Sequence, residues 1–480
     1  MYLGIDVGTS SVKALLVDEG QRIVARGSAP LTVSRPHDGW SEQDPADWVA
    51  AVETAIDGVR AEAPDALASL RGIGLSGQMH GATLLDEADQ PLRPCILWND
   101  GRAAAEAAEL DADPRFREIT GNIVFPGFTA PKLVWVARHE PEVFRRVRKV
   151  LLPKDYVRLW LTGEHVSEMS DSAGTSWLDT GARKWSDSLL DATGMTPDHM
   201  PRLVEGTQPG GSLRAELASR WGIRGPVVVA GGAGDNAASA CGVGTVAPGT
   251  AFVSIGTSGV LFAASESYTP NAARAVHTFC HALPNTWHQM GVILSATASL
   301  EWLAGVTGRP ADALTGALGD RIQPPSTAAF LPYLSGERTP HDDARIRGAF
   351  VGIGHETGST ELTRAVLEGV AFAFADCRDA LGGVTRATAV GGGSRSRYWL
   401  ELIATTLNAP IDVPADGDFG AAFGAARLGL IAAEREDPVA VCAPPPIRET
   451  IEPRADLVDA YAAAYARWRE LYPAIRSVWL

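Results

Sequence analysis

Two aspartates of this sequence follow apolar runs at glycine-rich turns, where a carboxylate could do acid–base or metal chemistry. Asp235 comes after the apolar residues 226–230 and a glycine cluster, so we expect it at the carboxyl end of a strand, where α/β proteins bind ligands. A carboxylate there can accept the proton of a hydroxyl group that attacks phosphorus, which accelerates such a step about 10²–10⁴-fold. Asp6, just ahead of Gly8, is expected to face a divalent cation through water, together with Asp235. The plainer interpretations are a solvated turn residue for Asp6 and a helix N-cap for Asp235.

Two Gly-Thr-Ser turns lie about half a chain length apart, and each joins two apolar strands. A tight turn exposes successive backbone N–H groups, and glycine lets a phosphate approach without meeting a Cβ atom. A third glycine-rich segment joins a predicted strand to a predicted helix, where the helix N-terminus favours negative charge. The alternative to phosphate binding is that the two turns are ordinary hairpin turns and that the third segment is an ordinary loop. The residues assigned to phosphate and nucleotide binding are Gly8, Thr9, Ser10, Lys13, Gly256, Thr257, Ser258, Gly391, Gly392, Gly393 and Ser394.

Two polar loops in the first half of the chain could bind a ligand rich in hydroxyl groups. His80 can donate or accept hydrogen bonds while Met79 packs against carbon atoms. Trp98 and Arg102 belong to a segment that combines an aromatic ring, an amide, an acid and a guanidinium. The alternative for His80 is a purely structural role in its loop, and the alternative for the segment of Trp98 and Arg102 is a solvated turn. With Asp235 and the adjacent Asn236, these residues form the predicted substrate site.

The elements that would position these residues predict an α/β protein of two similar domains. Each half begins with a strand–turn–strand unit and continues with alternating strands and helices. Asp44 and Pro45 predict a helix start, and the small residues 420–426 predict a helix packed closely against a neighbour. We place the domains at residues 1–243 and 244–480.

Composition excludes several classes of function. The formal net charge is −15, which argues against nucleic acid or an anionic membrane as the main partner. The dipeptide Gly-Lys never occurs, so a P-loop that ends in Gly-Lys-Ser/Thr is absent. Five scattered cysteines, an N-terminus without a basic leader and the lack of a long apolar segment favour a cytoplasmic protein without membrane contact.

Together these segments resemble the FGGY family of carbohydrate kinases over nearly the whole chain. The matching segments are residues 4–10, 40–45, 77–81, 97–100, 128–132, 152–156, 234–236, 254–259, 334–340 and 391–394. The resemblance implies two actin-like, ribonuclease H-like ATPase domains that flank a catalytic cleft for ATP and Mg²⁺. It also implies that Asp235 is the catalytic base and Asp6 the acid on the metal side. Arg395 follows the glycine triplet, which leaves the side chain that contacts adenine open.

The pair Met79-His80 is the one that the xylulose-phosphorylating members of this family carry, whereas the glycerol kinases resemble Arg-Glu there. The resemblance therefore implies ATP-dependent phosphorylation of D-xylulose at its 5-hydroxyl. A kinase for another ketose or polyol, such as ribulose or glycerol, is the nearest alternative. A non-catalytic actin-like protein is a further one. A homodimer is among the assemblies open to the chain.

Overall fold

Two seven-stranded sheets form the centres of the two halves in this computed structural model, which describes residues 1–415 and 419–479. The strands of the first sheet are β1 (Tyr2–Val7), β2 (Ser11–Val17), β3 (Ile23–Pro30), β4 (Gly72–Gly77), β5 (Pro209–Ser212), β6 (Val228–Ala230) and β7 (Ala233–Gly234). The strands of the second sheet are β8 (Ala251–Ile255), β9 (Gly259–Ser265), β10 (His277–Cys280), β11 (Trp287–Ile293), β12 (Ala387–Val390), β13 (Ile411–Pro414) and β14 (Ile447–Ile451).

The two sheets share one pattern of strand pairing. In the first, the order is β3-β2-β1-β4-β6-β5, and β7 pairs with the end of β4. In the second, β11-β9-β8-β12-β13-β14 repeats this order, with β10 added beyond β11. In both, a hairpin stands beside two parallel strands, and an antiparallel strand closes the far edge. The predicted α/β fold with a strand–turn–strand unit at the start of each half is therefore confirmed.

The helices and the minor strand pairs surround these sheets. The longer helices are α1 (Pro45–Glu62), α2 (Thr129–His139), α3 (Pro153–Thr162), α4 (Asp235–Val243), α5 (Thr297–Thr307), α6 (Ser359–Ala380), α7 (Arg397–Leu407), α8 (Ala421–Glu434), α9 (Val458–Arg469) and α10 (Leu471–Trp479). The shorter ones are Pro64–Leu67, Ala104–Asp111, Pro114–Thr120, Pro141–Arg146, Met169–Ser172, Asp187–Asp191, Ala215–Trp221, Ala311–Gly316 and Pro438–Val441. Two-stranded pairs join Glu42–Gln43 to Cys95–Ile96, Thr83–Leu85 to Lys149–Leu151, Val166–Glu168 to Arg202–Val204, Leu178–Asp179 to Lys184–Trp185, and Ala329–Leu331 to Ala349–Val351.

Helix α1 shows how local sequence sets these elements. The Asp44 side chain accepts a 2.9 Å hydrogen bond from the backbone N–H of Ala46, and Pro45 opens the helix, as predicted. Trp48 is fully buried on the side of α1 that packs against the first sheet. One face of the sheet is covered in this way by α1 and α3.

The other face of the first sheet is covered by α8, a helix from the second half of the chain. The contact is so close that a Cβ atom on Gly74 of β4 would lie 1.8 Å from the carbonyl oxygen of Ala425. On its other side α8 packs against α4, where a Cβ atom on Gly424 would lie 1.8 Å from the carbonyl oxygen of Ala238. The predicted close packing of residues 420–426 is therefore present, and it joins the two halves.

Two findings concern membrane contact and the oxidation state of the cysteines. Across residues 1–415 and 419–479, no helix combines the length and apolar character needed to cross a bilayer. The five cysteines are all buried and free of disulfide bonds.

Candidate active site

The two predicted acids lie at adjacent strand ends of the first sheet. Asp6 of β1 pairs in register with Ser76 of β4, whose hydroxyl donates a 3.0 Å hydrogen bond to the Asp6 carboxyl. Gly77, the next residue of β4, pairs with Gly234 at the end of β7. Asp235 follows Gly234 directly, so the sheet brings the two acids to the same edge, where the parallel strands end.

Asp235 is the first residue of α4 and not its cap. The structure corrects the N-cap interpretation, because Gly234 occupies the cap position. Glycine has no side chain that could accept a hydrogen bond from the first N–H groups of the helix. The Asp235 carboxyl instead accepts hydrogen bonds from the backbone N–H of Asn236 at 2.7 Å and from its side-chain amide at 3.0 Å. Burial and, next, the negative charge of Asp6 raise the pKa of Asp235 to about 6, although the Asn236 bonds oppose this. A carboxyl with this pKa is ionised near neutral pH and still accepts a proton readily.

The loop that carries Asp235 is held from behind by side chains that sequence reasoning did not single out. The backbone N–H of Gly234 donates a 3.1 Å hydrogen bond to the Ser170 hydroxyl, which in turn donates to Glu168 at 2.8 Å. The guanidinium of Arg158 donates to the carbonyl oxygens of Ala230 and Gly231. These bonds fix the backbone on both sides of the turn that leads to Asp235.

Arg158 and Glu168 belong to a fully buried charged cluster with Lys154, Asp155 and Asp171. The Lys154 ammonium lies 2.8 Å from Asp155, 3.0 Å from Asp171 and 3.3 Å from Glu168. Burial alone would lower the pKa of Lys154. The three neighbouring carboxyl groups have the larger effect and raise this pKa. Burial raises the pKa of Asp171, whereas the nearby Lys154 ammonium opposes this rise. The only signal in the sequence was the pair Lys154-Asp155 within segment 152–156.

The first Gly-Thr-Ser turn forms as predicted and is braced by polar side chains. The backbone N–H of Gly8 donates to the Ser11 carbonyl at 3.1 Å, which closes the turn. The Thr9 hydroxyl donates to Gln78 at 3.1 Å and accepts from the indole N–H of Trp98 at 3.0 Å, so it is already engaged. Ser10 is exposed at the tip of the turn.

Lys13 and Gln43 complete the surroundings of this turn. Lys13 is exposed and lies directly opposite Asp6 in the β1–β2 register, on the same face of the sheet. The Gln43 amide donates to the Thr9 carbonyl at 2.8 Å and its oxygen accepts from Gln78 at 2.8 Å. Gln43 and Gln78 were not predicted as site residues, although both lie in segments that carry the family resemblance.

The second turn is held against the N-terminus of α5. The backbone N–H of Thr297 donates to the Gly256 carbonyl at 2.9 Å, and that of Ala296 donates to the Thr257 carbonyl at 2.8 Å. Thr257 and Ser258 are exposed, like Ser10 in the first turn. The structure therefore presents two similar turns, one from each sheet.

The glycine triplet packs against the strand that leads into the second turn. Gly391 has φ +86°, and a Cβ atom on Gly393 would lie 2.3 Å from Cγ2 of Ile255. Gly392 is exposed, and the Ser394 hydroxyl donates to the Gly391 carbonyl at 2.6 Å, within its own loop. The triplet enters a short 3₁₀ turn, Gly392–Arg395, and α7 begins only at Arg397, with Ser396 as its cap.

His80 lies in a tightly enclosed loop beside Asp235. Its backbone has φ +69°, its Nδ1 lies 2.8 Å from the Gly174 carbonyl oxygen, and its ring stacks on Phe128 at 4.6 Å. Burial and, next, the charge of Lys132 lower the pKa of His80 to about 3, so the ring is neutral. Because a carbonyl oxygen can only accept, Nδ1 carries the proton, and Nε2 is left as an acceptor for a hydroxyl group.

Lys132 and Met79 fix this loop from either side. The buried Lys132 ammonium donates to the carbonyl oxygens of His80 at 2.8 Å and Gly127 at 2.7 Å, and burial lowers its pKa to about 7. The Met79 side chain packs against both Gly174 and Gly234. The structure thus brings Met79, His80 and Asp235 together.

Arg102 does not belong to this site, which corrects the prediction. Its side chain is only 1% exposed and pairs with Asp100 at 2.7 Å and Glu42 at 2.8 Å. Its guanidinium also stacks over the ring of Trp40, 3.6 Å from the centroid. A guanidinium enclosed in this way holds the loop together and offers nothing to a ligand. Trp98, 47% exposed, keeps one face available beside Thr9.

Comparisons with known proteins agree with this architecture. The N-terminal domain of the FGGY family of carbohydrate kinases matches residues 1–242, and the C-terminal domain of the same family matches residues 251–433. A xylulose kinase of Escherichia coli (strain K12) is 48% identical over 479 residues, which cover 98% of each chain.

Solved structures give the same result. The crystal structure of a xyloylose kinase from Brucella ovis is 63% identical and superimposes with a TM-score of 0.99 over 99% of both chains. Xylulose kinase from Rhodospirillum rubrum is 29% identical, with a TM-score of 0.91 over 99% of both chains. With both family domains matched in order and with relatives similar over their whole length, this chain belongs to the FGGY family of carbohydrate kinases.

Proposed function

We propose that this ATP-dependent carbohydrate kinase phosphorylates D-xylulose at its 5-hydroxyl to give D-xylulose 5-phosphate. The observation that carries the proposal is Asp235, a carboxyl of raised pKa beside Asp6, at the edge of the sheet where Met79 and His80 also meet. The xylulose kinases that the chain resembles over nearly their whole length support the choice of sugar.

In the proposed reaction Asp235 is the general base. The sugar hydroxyl oxygen attacks the γ-phosphorus of ATP, its proton passes to the Asp235 carboxylate, and the bond to the β-phosphate oxygen breaks to release ADP. Such a transfer depends mainly on positioning and on electrostatic stabilisation of the phosphoryl group. The Asn236 hydrogen bonds and the Ser170 bond to Gly234 hold the carboxyl in one orientation.

The nucleotide is proposed to bind between the two turns and the glycine triplet. Exposed residues of the turns, among them Ser10, Thr257 and Ser258, would donate to phosphate oxygens, and Lys13 would add a positive charge. Because the Thr9 hydroxyl already has partners within the protein, the backbone N–H of Thr9 is the donor expected to serve ATP. The hydroxyl and the backbone N–H of Ser394 both donate to the Gly391 carbonyl, so Ser394 would shape the loop that receives the nucleotide. The triplet Gly391, Gly392 and Gly393 would lie against adenosine.

Mg²⁺ is proposed as the cation that accompanies ATP. Within residues 1–415 and 419–479 no group of three or more His, Cys, Asp or Glu side chains could hold a metal ion by itself. Mg²⁺ usually binds through one or two carboxylates, water and substrate phosphates, and Asp6 and Asp235 fit that role through water. When bound, it neutralises charge on the phosphates.

The sugar is proposed to bind between the Met79-His80 loop and Asp235. Nε2 of the neutral His80 would accept a hydrogen bond from a sugar hydroxyl, and Met79 would pack against the carbon chain. The amide of Asn236 and the exposed face of Trp98 complete this proposed site.

The remaining assignments complete the proposal. We place the domain boundary between residues 243 and 244, which lies at the end of α4 and leaves one sheet in each domain. The five free cysteines favour a reducing compartment, and we propose the cytoplasm. A homodimer is the proposed assembly, and light scattering on the purified protein would test it.

The decisive experiment is an assay of ADP and sugar phosphate formation with D-xylulose, ribulose and glycerol. We expect D-xylulose to give the highest kcat/KM, and Asp235→Ala to lower kcat about 10²–10⁴-fold. Asp38→Asn, at an exposed aspartate, is the matched control and should leave the rate unchanged. A higher kcat/KM for another sugar would overturn the substrate, and an active Asp235→Ala variant would overturn the base. ATP-dependent polymers without any sugar phosphate would instead support a non-catalytic actin-like protein.

A further inference from the structure

Arg338 of the second half of the chain lies against the aromatic side chains that surround His80. Its guanidinium lies over the ring of Phe125, 4.6 Å from the centroid, and its Nη1 lies 3.3 Å from Nε2 of His277. His277 begins β10, and burial lowers its pKa far below the usual range, so the neutral ring accepts this hydrogen bond. Segment 334–340, which contains Arg338, contributed to the family resemblance but received no role from the sequence.

The positive charge of Arg338 has no carboxylate partner among the residues that the structure describes. The adjacent Glu337 directs one carboxyl oxygen to the backbone N–H groups of Leu294 and Arg338, and burial raises its pKa to about 8. Asp342 is the other nearby acid, and its charge favours the ionised guanidinium, but within the described residues its carboxyl is not in ion-pair contact with Arg338. A largely enclosed guanidinium with donors to spare is unfavourable unless another molecule supplies acceptors.

The remaining donors of Arg338 have access to solvent. Some side-chain nitrogen atoms of the described residues, such as Nε of Arg364, are completely buried and have no hydrogen-bond partner. Nε and Nη2 of Arg338 do not belong to this group. Both groups can therefore exchange water for a ligand. This distinguishes Arg338 from Arg102, whose charge is balanced within the protein.

A continuous series of contacts leads from Asp235 to Arg338. Met79 packs against Gly234, next to Asp235, and also against Gly174, which carries the acceptor of His80. The His80 ring stacks on Phe128, and the Phe128 ring lies 5.8 Å from that of His277, the partner of Arg338. Arg338 is thus linked to His80 through two packed rings, whereas Asp235 is linked to it through Met79.

We propose that Arg338 recognises the carbonyl end of the open-chain ketose and so determines the specificity of the enzyme for a ketose over a polyol. Its guanidinium donates to the C2 carbonyl oxygen and the C1 hydroxyl oxygen while the 5-hydroxyl faces Asp235. A planar guanidinium suits two neighbouring acceptor oxygens, and a charged donor forms a stronger hydrogen bond than a neutral one. The inference rests on the proposed function, because it needs D-xylulose in this site.

The test compares Arg338→Met with the wild type on D-xylulose and on xylitol, which carries a hydroxyl where xylulose has its carbonyl. Dissociation constants for both are measured by calorimetry without nucleotide, and KM and kcat for D-xylulose and ATP by coupled assay. We expect Arg338→Met to weaken xylulose binding about tenfold or more, to weaken xylitol binding much less, and to leave KM for ATP unchanged. Arg338→Lys should recover part of the loss.

Arg345→Met is the matched control, because Arg345 is an exposed arginine seven positions further along the same loop region. It should match the wild type on both ligands. An unchanged constant for D-xylulose, or an equal loss for D-xylulose and xylitol, would overturn the role of Arg338. If Arg338→Met does not fold, the same comparison is made with Arg338→Lys. A wild type that does not phosphorylate D-xylulose would instead overturn the proposed function itself.

Discussion

The residues whose positions could be predicted from the sequence are those that local chemistry ties to a particular place in the backbone. Asp6 and Asp235 could be placed because Asp6 lies near the end of β1 and Asp235 directly follows β7, and the ends of parallel strands meet at one edge of a sheet. Arg102 was misassigned because its partner Glu42 is 60 positions earlier and Trp40 covers it only in the folded chain. Arg338 was missed for the same reason, since its distance from His80 depends on how the two halves meet. Individual residues are predictable where local sequence fixes their surroundings.

The raised pKa of Asp235 predicts the acid side of the pH profile. The general base must be ionised, so kcat/KM for the sugar should fall as the pH drops through about 6. Asp6→Asn removes a like charge and should move this fall to lower pH, but not to the ordinary value of an aspartate, because burial is the larger cause. The measurement is kcat/KM between pH 4.5 and 8. Asp38→Asn is the control, and a profile of Asp6→Asn that coincides with the wild type would contradict the argument.

Helices and strands with a strong local sequence signal could be predicted, but the elements against which they pack could not. The Asp44 cap, both hairpins and the helical small-residue segment are confirmed by the structure. That α8 packs on the first sheet could not be deduced, since the sequence shows only that the helix has a close neighbour. Likewise, the bonds from Ser170 and Arg158 to the Asp235 loop join elements far apart in sequence.

The close packing of α8 predicts opposite effects for two glycine substitutions. Gly74→Ala would place a Cβ atom 1.8 Å from a backbone carbonyl oxygen, so α8 must shift, and we expect a loss of about 3 kcal/mol or more in the free energy of unfolding. Gly305→Ala, in α5, meets nothing within 4 Å and should raise that free energy by about 0.5–1 kcal/mol. Urea unfolding of both variants measures the difference. Equal stability of Gly74→Ala and the wild type would show that the contact is looser than described.

At the scale of the whole molecule, the two halves are joined by polar bonds beside the proposed sugar site. The buried amide of Asn122 donates to the Thr278 carbonyl and accepts from the Thr278 N–H, both at 2.9 Å. Thr278 follows His277 in β10, and Asn122 precedes the loop that carries Phe125 and Phe128. This pair therefore sets how the aromatic residues from both halves meet.

Asn122→Ala should weaken both folding and sugar binding. It leaves a buried N–H and a buried carbonyl without partners, and each such group costs about 1–3 kcal/mol. KM for the sugar should rise more than KM for ATP, because the pair is next to His277. Thr278→Val is the control: its hydroxyl is buried without a partner, so its loss keeps the Asn122 bonds and should not destabilise the protein. Urea unfolding and steady-state kinetics measure both effects, and equal behaviour of the two variants would contradict the role of Asn122.

The position of α8 also has a consequence for how the protein is made. Its residues are synthesised only after every strand of the first sheet and all but the last strand of the second, yet they complete the core around the first sheet. Until then Tyr2, Ala230 and their neighbours have no cover on that face, and a nascent chain with exposed apolar surface is prone to aggregate. The first half therefore cannot finish folding as it emerges, in contrast to domains that fold one after another. A chaperone that shields this face during translation would be of most use to this protein before residue 421 appears.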